Sequence, residues 1–297
     1  MWWWWACAAD LIPGERVLGG ERAAIEVVGA AGSSWGASLA LTADGRVLVG
    51  APGAGEVALL TPSGDELWRS AGATGLGTRV GATGSLLWAW APGAGVYAVS
   101  EDGAPTLLAS TPQATAMDVC PDGAVLQATG PGEAVACGAA GVLWSRCADG
   151  RCEVSLDADG DGVEEEILDA VGDDARLAWT PDGPCWGDPA LRTDEAAGVV
   201  RCRPAPTEDL TELVGLGGDH LGTGLCEAYV AGALNHDLVP ARARVVPRSG
   251  GEVLAVERAA FTSPLALACD ADLLAIGVPG AMGQAAEQGA VWLVEAP

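Results

Sequence analysis

A unit of four short segments recurs along this chain, and the recurrence constrains the fold more than any other feature of the sequence. Within each copy, apolar and polar residues alternate, and turns rich in Gly, Asp and Pro separate the segments. This pattern predicts a four-stranded antiparallel meander. In the first copy the predicted strands are Ser38 to Leu41, Val47 to Val49, Val57 to Leu60 and Glu66 to Arg69.

Six copies follow one another, most of them about 40 residues apart, a period typical of β-propellers. One four-stranded sheet cannot bury both of its faces, whereas a ring of sheets packed face to face can. We therefore predict an all-β fold, a β-propeller of four-stranded antiparallel blades with six blades; an ordinary β-sandwich is the alternative. The copies begin near residues 38, 77, 116, 176, 221 and 264, and an acidic insert at about 147–173 lengthens the step from the third copy to the fourth.

The two ends of the chain predict how the ring closes. The last copy stops after its third strand, and an extra strand candidate, Ala24 to Val28, precedes the first copy. This N-terminal strand can complete the last blade, so that no blade edge is left open. Residues 23–297 are thus predicted to form one propeller domain, and residues 1–22 a stump and linker.

The stump begins with Met1 and four tryptophans, Trp2 to Trp5, followed by Ala6-Cys7. The apolar run is too short to cross a membrane. An apolar run ending in Ala-Cys is similar to the tail of a bacterial lipoprotein signal, in which Cys7 would be the lipidated residue; a plain hydrophobic end is the alternative. We expect a secreted or lipid-anchored protein, in contact with a membrane only through that anchor.

The charge of the chain excludes several classes of partner. It carries 40 acidic residues against 15 basic ones, a formal net charge of −25, and all the basic residues are Arg. Nucleic acid and anionic lipid surfaces would be repelled. The charge favours solubility and cation binding, and we expect a monomer that binds a protein or glycan.

Three boxes carry a family resemblance. Trp35-Gly36 followed by Gly50-Ala51-Pro52 resembles the FG-GAP repeat of integrin alpha chains, with Trp35 in the Phe position, and Ala91-Pro92 and Gly277-Val278-Pro279 are degenerate copies. The resemblance covers about residues 24–297. It implies an extracellular propeller that serves adhesion or ligand binding. The family usually has seven blades, so six and seven both stay open.

The acidic segment that starts at Asp157 has the pattern of a calcium loop. Acids stand at its first, third and fifth positions, glycine at the sixth and an acid at the ninth, and alternating carboxylates can curl round one ion. Leu168 at the twelfth position excludes an EF-hand, and the loop resembles the FG-GAP calcium hairpin; a solvated acidic turn is the alternative. The predicted ligands are Asp157, Asp159, Asp161, the carbonyl of Val163, and Glu165.

Eight of the nine cysteines lie after residue 100, an even number that suits disulfides in an oxidising compartment. Cys147 and Cys152 flank a turn, which makes a hairpin disulfide geometrically natural. Positions within the repeats suggest the other pairs, and Cys7 stays alone; buried free thiols are the alternative. The four predicted disulfides are Cys147–Cys152, Cys120–Cys137, Cys185–Cys202 and Cys226–Cys269.

No motif of an activated nucleophile accompanies the two histidines, His220 and His236. We therefore expect no enzymatic activity, but a surface propeller that binds its ligand through the blade loops. A propeller hydrolase acting on carbohydrate, with carboxylates in the central funnel, is one alternative. A structural module of the cell envelope is another. Carboxylates that converge with Arg and Trp in the funnel would favour the hydrolase, and an apolar or plugged channel would favour binding.

Overall fold

Strands make up the regular structure of the described part of the chain, which contains no helix long and apolar enough to cross a membrane. The computed structural model describes residues 16–18, 24–149, 151–160, 166–171, 176–180, 183–188, 199–203, 211–214, 220–225, 229–233, 243–247, 254–256, 265–270, 272–279 and 288–295. The strands are β1 (Arg16–Leu18), β2 (Ala24–Val28), β3 (Ser38–Leu41), β4 (Val47–Ala51), β5 (Glu56–Leu60), β6 (Glu66–Ala71), β7 (Arg79–Thr83), β8 (Leu86–Ala91), β9 (Gly95–Val99), β10 (Pro105–Ser110), β11 (Ala116–Val119), β12 (Val125–Ala128), β13 (Ala134–Gly138), β14 (Gly141–Ala148), β15 (Arg151–Asp157), β16 (Glu166–Val171), β17 (Arg176–Thr180), β18 (Gly183–Asp188), β19 (Val199–Cys202), β20 (Thr211–Val214), β21 (His220–Leu225), β22 (Tyr229–Ala233), β23 (Ala243–Pro247), β24 (Leu254–Val256), β25 (Ala266–Cys269), β26 (Leu273–Val278) and β27 (Ala290–Glu295).

These strands form antiparallel sheets that succeed one another along the chain. Three four-stranded sheets are β3 to β6, β7 to β10 and β17 to β20, and a fourth is β13 to β16. Strands β11 and β12 form a two-stranded sheet between the second and the fourth of these groups. The last two sheets each take one strand from the start of the chain: β21 to β24 with β1, and β25 to β27 with β2.

The first copy matches its prediction strand by strand, because its turns are encoded locally. Thr42 accepts a hydrogen bond from the backbone N–H of Arg46 and donates one to Asp44. Ser100 plays the same part for Ala104 and Asp102 in the next sheet. The hydroxyl hydrogen bonds lower the pKa values of Asp44 and Asp102. A hydroxyl residue two positions before Asp-Gly therefore closes each hairpin.

Apolar side chains fill the space between neighbouring sheets. One cluster joins the sheet of β25 to β27 and β2, called the closing sheet below, to the sheet of β3 to β6, around Trp35, Val49 and Val291. A second, around Leu59 and Leu76, joins the first sheet to the sheet of β7 to β10. The first strands β25, β3 and β7 also lie side by side, as do β11, β13 and β17. Sheets that pack face to face around their first strands form a β-propeller.

Close backbone contacts tie consecutive sheets together. Gly36 and Gly77 hold the same place before their sheets, with φ angles of 81° and 90°, and their N–H groups donate to the carbonyls of Gly50 and Trp90 in the second strand of the same sheet. Gly77 also touches the preceding sheet: a Cβ on it would lie 2.5 Å from the carbonyl oxygen of Glu56, so only glycine fits. The fully buried Leu76 precedes Gly77 as Trp35 precedes Gly36. The first two copies thus share one inter-sheet joint.

Strand β2 closes the ring as predicted. It pairs antiparallel with β27, and Ala24 to Val28 lie opposite Val294 to Ala290. Strand β1, which lies in the predicted linker, was not expected. It pairs in parallel with β24 at the edge of the neighbouring sheet. The N-terminal segment therefore contributes strands to two successive sheets.

The segment 147–173 differs from the predicted insert. Its residues form the end of β14 and all of β15 and β16, which complete a four-stranded sheet that starts at β13. The third copy is instead the two-stranded sheet of β11 and β12. A two-stranded hairpin followed by a new sheet has the same alternation of apolar and polar residues as a four-stranded meander. The sequence pattern therefore assigned the extra residues between the third and fourth copies to an insert at about 147–173. Blade number stays a prediction.

The closing strand supplies a matched pair of variants. Val27 packs on the core between the closing sheet and the first sheet, whereas Val28 on the same strand is 47% exposed. We expect Val27→Asp to lower the free energy of unfolding by about 2–3 kcal/mol, because it places a carboxylate in an apolar seam. Val28→Asp should cost less than about 1 kcal/mol. Urea denaturation measures both, and equal losses would contradict a role of β2 in closing the ring.

Candidate functional site: the central channel and the acidic loop

The first strands of the sheets surround a central channel with two cavities. The upper chamber, of about 620 Å³, lies at the beginnings of these strands, near Ser38, Thr78 and Thr115. The lower chamber, of about 450 Å³, lies at their ends, near Leu41 and Thr83. Both are bounded by described residues of β3, β7, β11, β13, β17 and β25. The channel is therefore a concave region in which a ligand could bind.

An ion pair lies where the two chambers meet. Arg79 on β7 and Asp118 on β11 line both cavities, and Arg79 Nη2 is 3.3 Å from Asp118 Oδ2. Arg79 Nη1 also donates to the carbonyl of Val135, at 3.4 Å, and the same Asp118 oxygen accepts the backbone N–H of Cys137, at 2.9 Å. The pair thus ties β7, β11 and β13 together across the inner wall.

Small and apolar residues make up most of the remaining wall of the upper chamber, and its hydroxyls are used within the protein. Ser38 donates to the carbonyl of Gly77, Thr78 to that of Gly75 and Thr115 to that of Gly130. The carboxylate of Glu133, the other acid of this wall, accepts the N–H of Gly130 at 2.7 Å. Such a wall can enclose an apolar part of a ligand. The apolar lining includes Leu39, Trp90, Ala116, Met117, Ala134, Leu177, Trp179 and Leu267.

Three of the four predicted disulfides are present. Cys120–Cys137 connects the turn after β11 to β13, and so joins the two-stranded sheet to the next one. Cys147–Cys152 bridges residues that lie directly opposite each other in the hairpin of β14 and β15, and Cys185–Cys202 does so for β18 and β19. Cys269 is also disulfide-bonded. Its predicted partner Cys226 lies outside the described residues, as does Cys7.

The acidic loop is described only at its start. Asp157 ends β15 with 1% of its surface exposed, and its Oδ1 accepts the N–H of Gly160 at 2.7 Å. Asp159 comes next on the surface, whereas the other three predicted ligands, Asp161, Val163 and Glu165, lie outside the described residues. Within the described ranges no group of three or more acids, histidines or cysteines could hold a metal ion. The turn at Asp157 folds back on a buried carboxylate, which is compatible with the start of a cation loop.

Arg79 and Asp118 were not among the residues predicted from the sequence. One signal was available: an acid stands between two buried apolar residues, Met117 and Val119, in a first strand. Alternation turns such an acid away from the apolar face on which its neighbours pack. Of the two histidines, His220 begins β21, and His236 lies outside the described residues.

Comparison with known proteins bears on the fold alone. No protein-family model and no curated protein matches the chain significantly. A streptogramin B lyase is 10% identical, with a TM-score of 0.58 over 92% of this chain and 98% of that one. A catalytically inactive virginiamycin B lyase from Staphylococcus aureus with quinupristin is 8% identical, with a TM-score of 0.52 over 92% and 99%. These likenesses agree with a β-propeller fold.

The ion pair in the channel gives a test of how the inner wall is held. Asp118→Ala leaves the N–H of Cys137 without its acceptor and Arg79 without its counter-charge, so it should cost about 2–3 kcal/mol of unfolding free energy. In the double variant Arg79→Met with Asp118→Asn, an amide oxygen can still accept the N–H and no charge is left alone. We expect it to be at least about 1 kcal/mol more stable than Asp118→Ala.

Chemical denaturation of the two variants and the wild type measures this difference. A double variant that is as unstable as Asp118→Ala would show that packing at these positions, and not the pairing of charges and hydrogen bonds, holds the wall.

Proposed function

We propose that this protein is a non-catalytic binding propeller of the cell surface or the secreted fraction, and that as a monomer it holds a protein or glycan at the upper chamber and its surrounding loops. The observation that carries the proposal is the chemistry of the described channel wall. Arg79 and Asp118 are engaged with each other and with the backbone, and the hydroxyls donate to carbonyls. Groups held in this way suit enclosure of a ligand more than proton transfer to one.

Two further observations support the location and the family resemblance. Three disulfides within the described sheets favour an oxidising compartment, outside the cytosol. The shared joint of Trp35-Gly36 with Gly50 and of Leu76-Gly77 with Trp90 supports a repeat of the FG-GAP type. Export through a lipid anchor on Cys7 is part of the proposal and is tested by mass spectrometry of the mature N-terminus.

A propeller hydrolase acting on carbohydrate is the second candidate. It is favoured by one observation: Asp118 and Glu133 both line the upper chamber, together with Trp90 and Trp179. Paired carboxylates in a cleft with aromatic walls are what glycoside hydrolysis requires. Both carboxylates accept backbone N–H groups of the wall, from Cys137 and Gly130, so these oxygens are already engaged within the protein.

One experiment separates the two candidates. A panel of oligosaccharides is incubated with the wild type, binding is followed by ligand-observed NMR, and the sugars are then analysed by mass spectrometry. We expect bound sugars to be recovered intact. Ala37→Trp, which fills the mouth of the upper chamber, should weaken binding at least about tenfold, whereas Ala124→Trp on an exposed turn should not. Cleavage that disappears in Asp118→Asn or Glu133→Gln would replace binding with hydrolysis.

We also propose that the acidic loop binds calcium through Asp157, Asp159, Asp161, the carbonyl of Val163 and Glu165. The buried Asp157 at the head of the loop supports this, because a carboxylate removed from water gains most from a nearby cation. Calcium bound there would join β15 to β16 and stiffen the outer half of their sheet.

Calcium should raise the melting temperature of the wild type but not that of Asp159→Asn with Asp161→Asn, which removes two ligands and leaves the buried Asp157 in place. Asp149→Asn with Glu153→Gln removes the same charge from the neighbouring hairpin and serves as the control. Calorimetry at millimolar calcium measures the shift, since extracellular sites bind at about 10⁻⁴–10⁻³ M. An equal shift in both double variants would mean general screening of charge and no loop site.

A further inference from the structure

The two-stranded sheet interrupts the regular pattern of the ring. The sheets on either side of it, β7 to β10 and β13 to β16, have four strands each, whereas it consists of β11 and β12 alone. With strands about 4.8 Å apart, this sheet as built from the described residues extends about 10 Å less far outward from the channel than its neighbours. This gap lies on the outer side of the ring, so a partner bound in it would not depend on the function proposed for the upper chamber.

The outer edge of β12 is free among the described residues. Its partner across the hairpin is β11, and the bond from the N–H of Cys120 to the carbonyl of Ala124 fixes which residues are hydrogen-bonded pairs. Because such pairs alternate along an antiparallel ladder, the N–H and C=O groups of Val125 and Gln127 point away from β11. They form an unpaired edge of the kind that accepts another strand.

The next sheet turns an incompletely covered face towards this gap. The disulfide from Cys137 on β13 to Cys120 shows which face of the sheet of β13 to β16 is turned towards the two-stranded sheet. Residues opposite each other on paired strands point to the same face of the sheet, and so do residues two positions apart on one strand. The same face therefore carries a row that runs outward across the four strands, Val135, Trp144, Ser155 and Ile167.

Of the four residues in that row, the one on the outermost strand is exposed. Val135 is buried, but Ile167 is 64% exposed, the highest exposure among the large apolar residues of the described chain. Between them, Trp144 Nε1 and Ser155 Oγ are buried without a hydrogen-bond partner. The guanidinium of Arg146, on the same strand, lies over the ring of Trp144, 5.0 Å from its centroid. The face thus offers apolar surface at the half-buried Trp144 and at the exposed Ile167.

We propose that this gap is a docking site for an extended segment of a partner protein, which adds to the free edge of β12 and lays alternate apolar side chains on Trp144 and Ile167. Main-chain bonds to Val125 and Gln127 would supply affinity, and the apolar row would select the side chains. A second copy of this chain is disfavoured, because two molecules of net charge −25 repel each other.

The probe is a synthetic peptide of alternating valine and threonine flanked by lysines; the same peptide with a central proline is its control. Hydrogen exchange is read by NMR at the amides of Val125 and Gln127. We expect the first peptide to slow their exchange at least about tenfold and the proline peptide to have no effect. Edge amides that are already protected in the protein alone, or that the first peptide leaves unprotected, would overturn the proposal.

Matched variants locate the binding. Gln127→Pro removes the outward N–H, whereas Gln127→Ala keeps it; Ile167→Glu places a charge on the exposed row, whereas Leu67→Glu places one at an equally apolar site on β6. We expect at least about tenfold weaker peptide binding in the first member of each pair and unchanged binding in the second. Peptide binding that survives Ile167→Glu, at an unchanged melting temperature, contradicts docking on this face.

Analytical ultracentrifugation tests whether a second copy of this chain, instead of a partner protein, fills the gap. If the protein alone forms dimers at high concentration and Gln127→Pro abolishes them, a second copy fills the gap and the partner strand is excluded. The channel experiment on oligosaccharides is independent of all these readouts, so each proposal can fail without the other.

Discussion

The pairing of β2 with β27 is the interaction on which the rest of the fold depends. Each sheet of the ring is covered only by its neighbours, so an open ring would leave one face of the first sheet and one of the last in water. The seam closed by this pairing holds the fully buried Trp35, whose backbone bridges to Gly289 and whose ring lies 4.6 Å below the guanidinium of Arg69. Residues from the two ends of the chain thus build one core, and a long-range contact secures the locally formed sheets.

A ring that contains a two-stranded sheet needs contacts at its inner wall in addition to the apolar packing between four-stranded sheets. At the two-stranded sheet, Trp88 and Trp90 of β8 supply bulk against Met117 and Val119. The disulfide Cys120–Cys137 and the ion pair of Arg79 with Asp118 then join this sheet to its neighbours near the channel. Covalent and charged links thus stand beside a sheet of only two strands, which has less surface to pack against its neighbours than a sheet of four. They hold the centre of the ring and leave its circumference open at the same point.

Local sequence predicted those elements whose turns carry their own chemistry. The bounds of β2 and β3 and three disulfides came from alternation, Asp-Gly turns and the position of each cysteine in its copy. The shortened sheet could not be predicted in this way, since residues 116–128 have the pattern of the first half of any copy. Whether the next strand adds to that sheet or begins another is decided by contacts across the ring. The same holds for Arg79 and Asp118, which belong to the first strands of two different sheets and meet only in the folded ring.

The negative charge of this protein limits the parts of its surface to which a partner can bind. An excess of 25 negative charges keeps protein chains apart in solution, and salt screens it only beyond about 8–10 Å. A partner without strong positive charge must therefore bind where carboxylates are few or already neutralised. The channel meets this condition because its central acid is paired with an arginine. The outer edge of β12 meets it because the groups it presents are uncharged backbone N–H and C=O groups. The two proposed binding sites therefore have a common physical basis, and both arise from how the sheets pack.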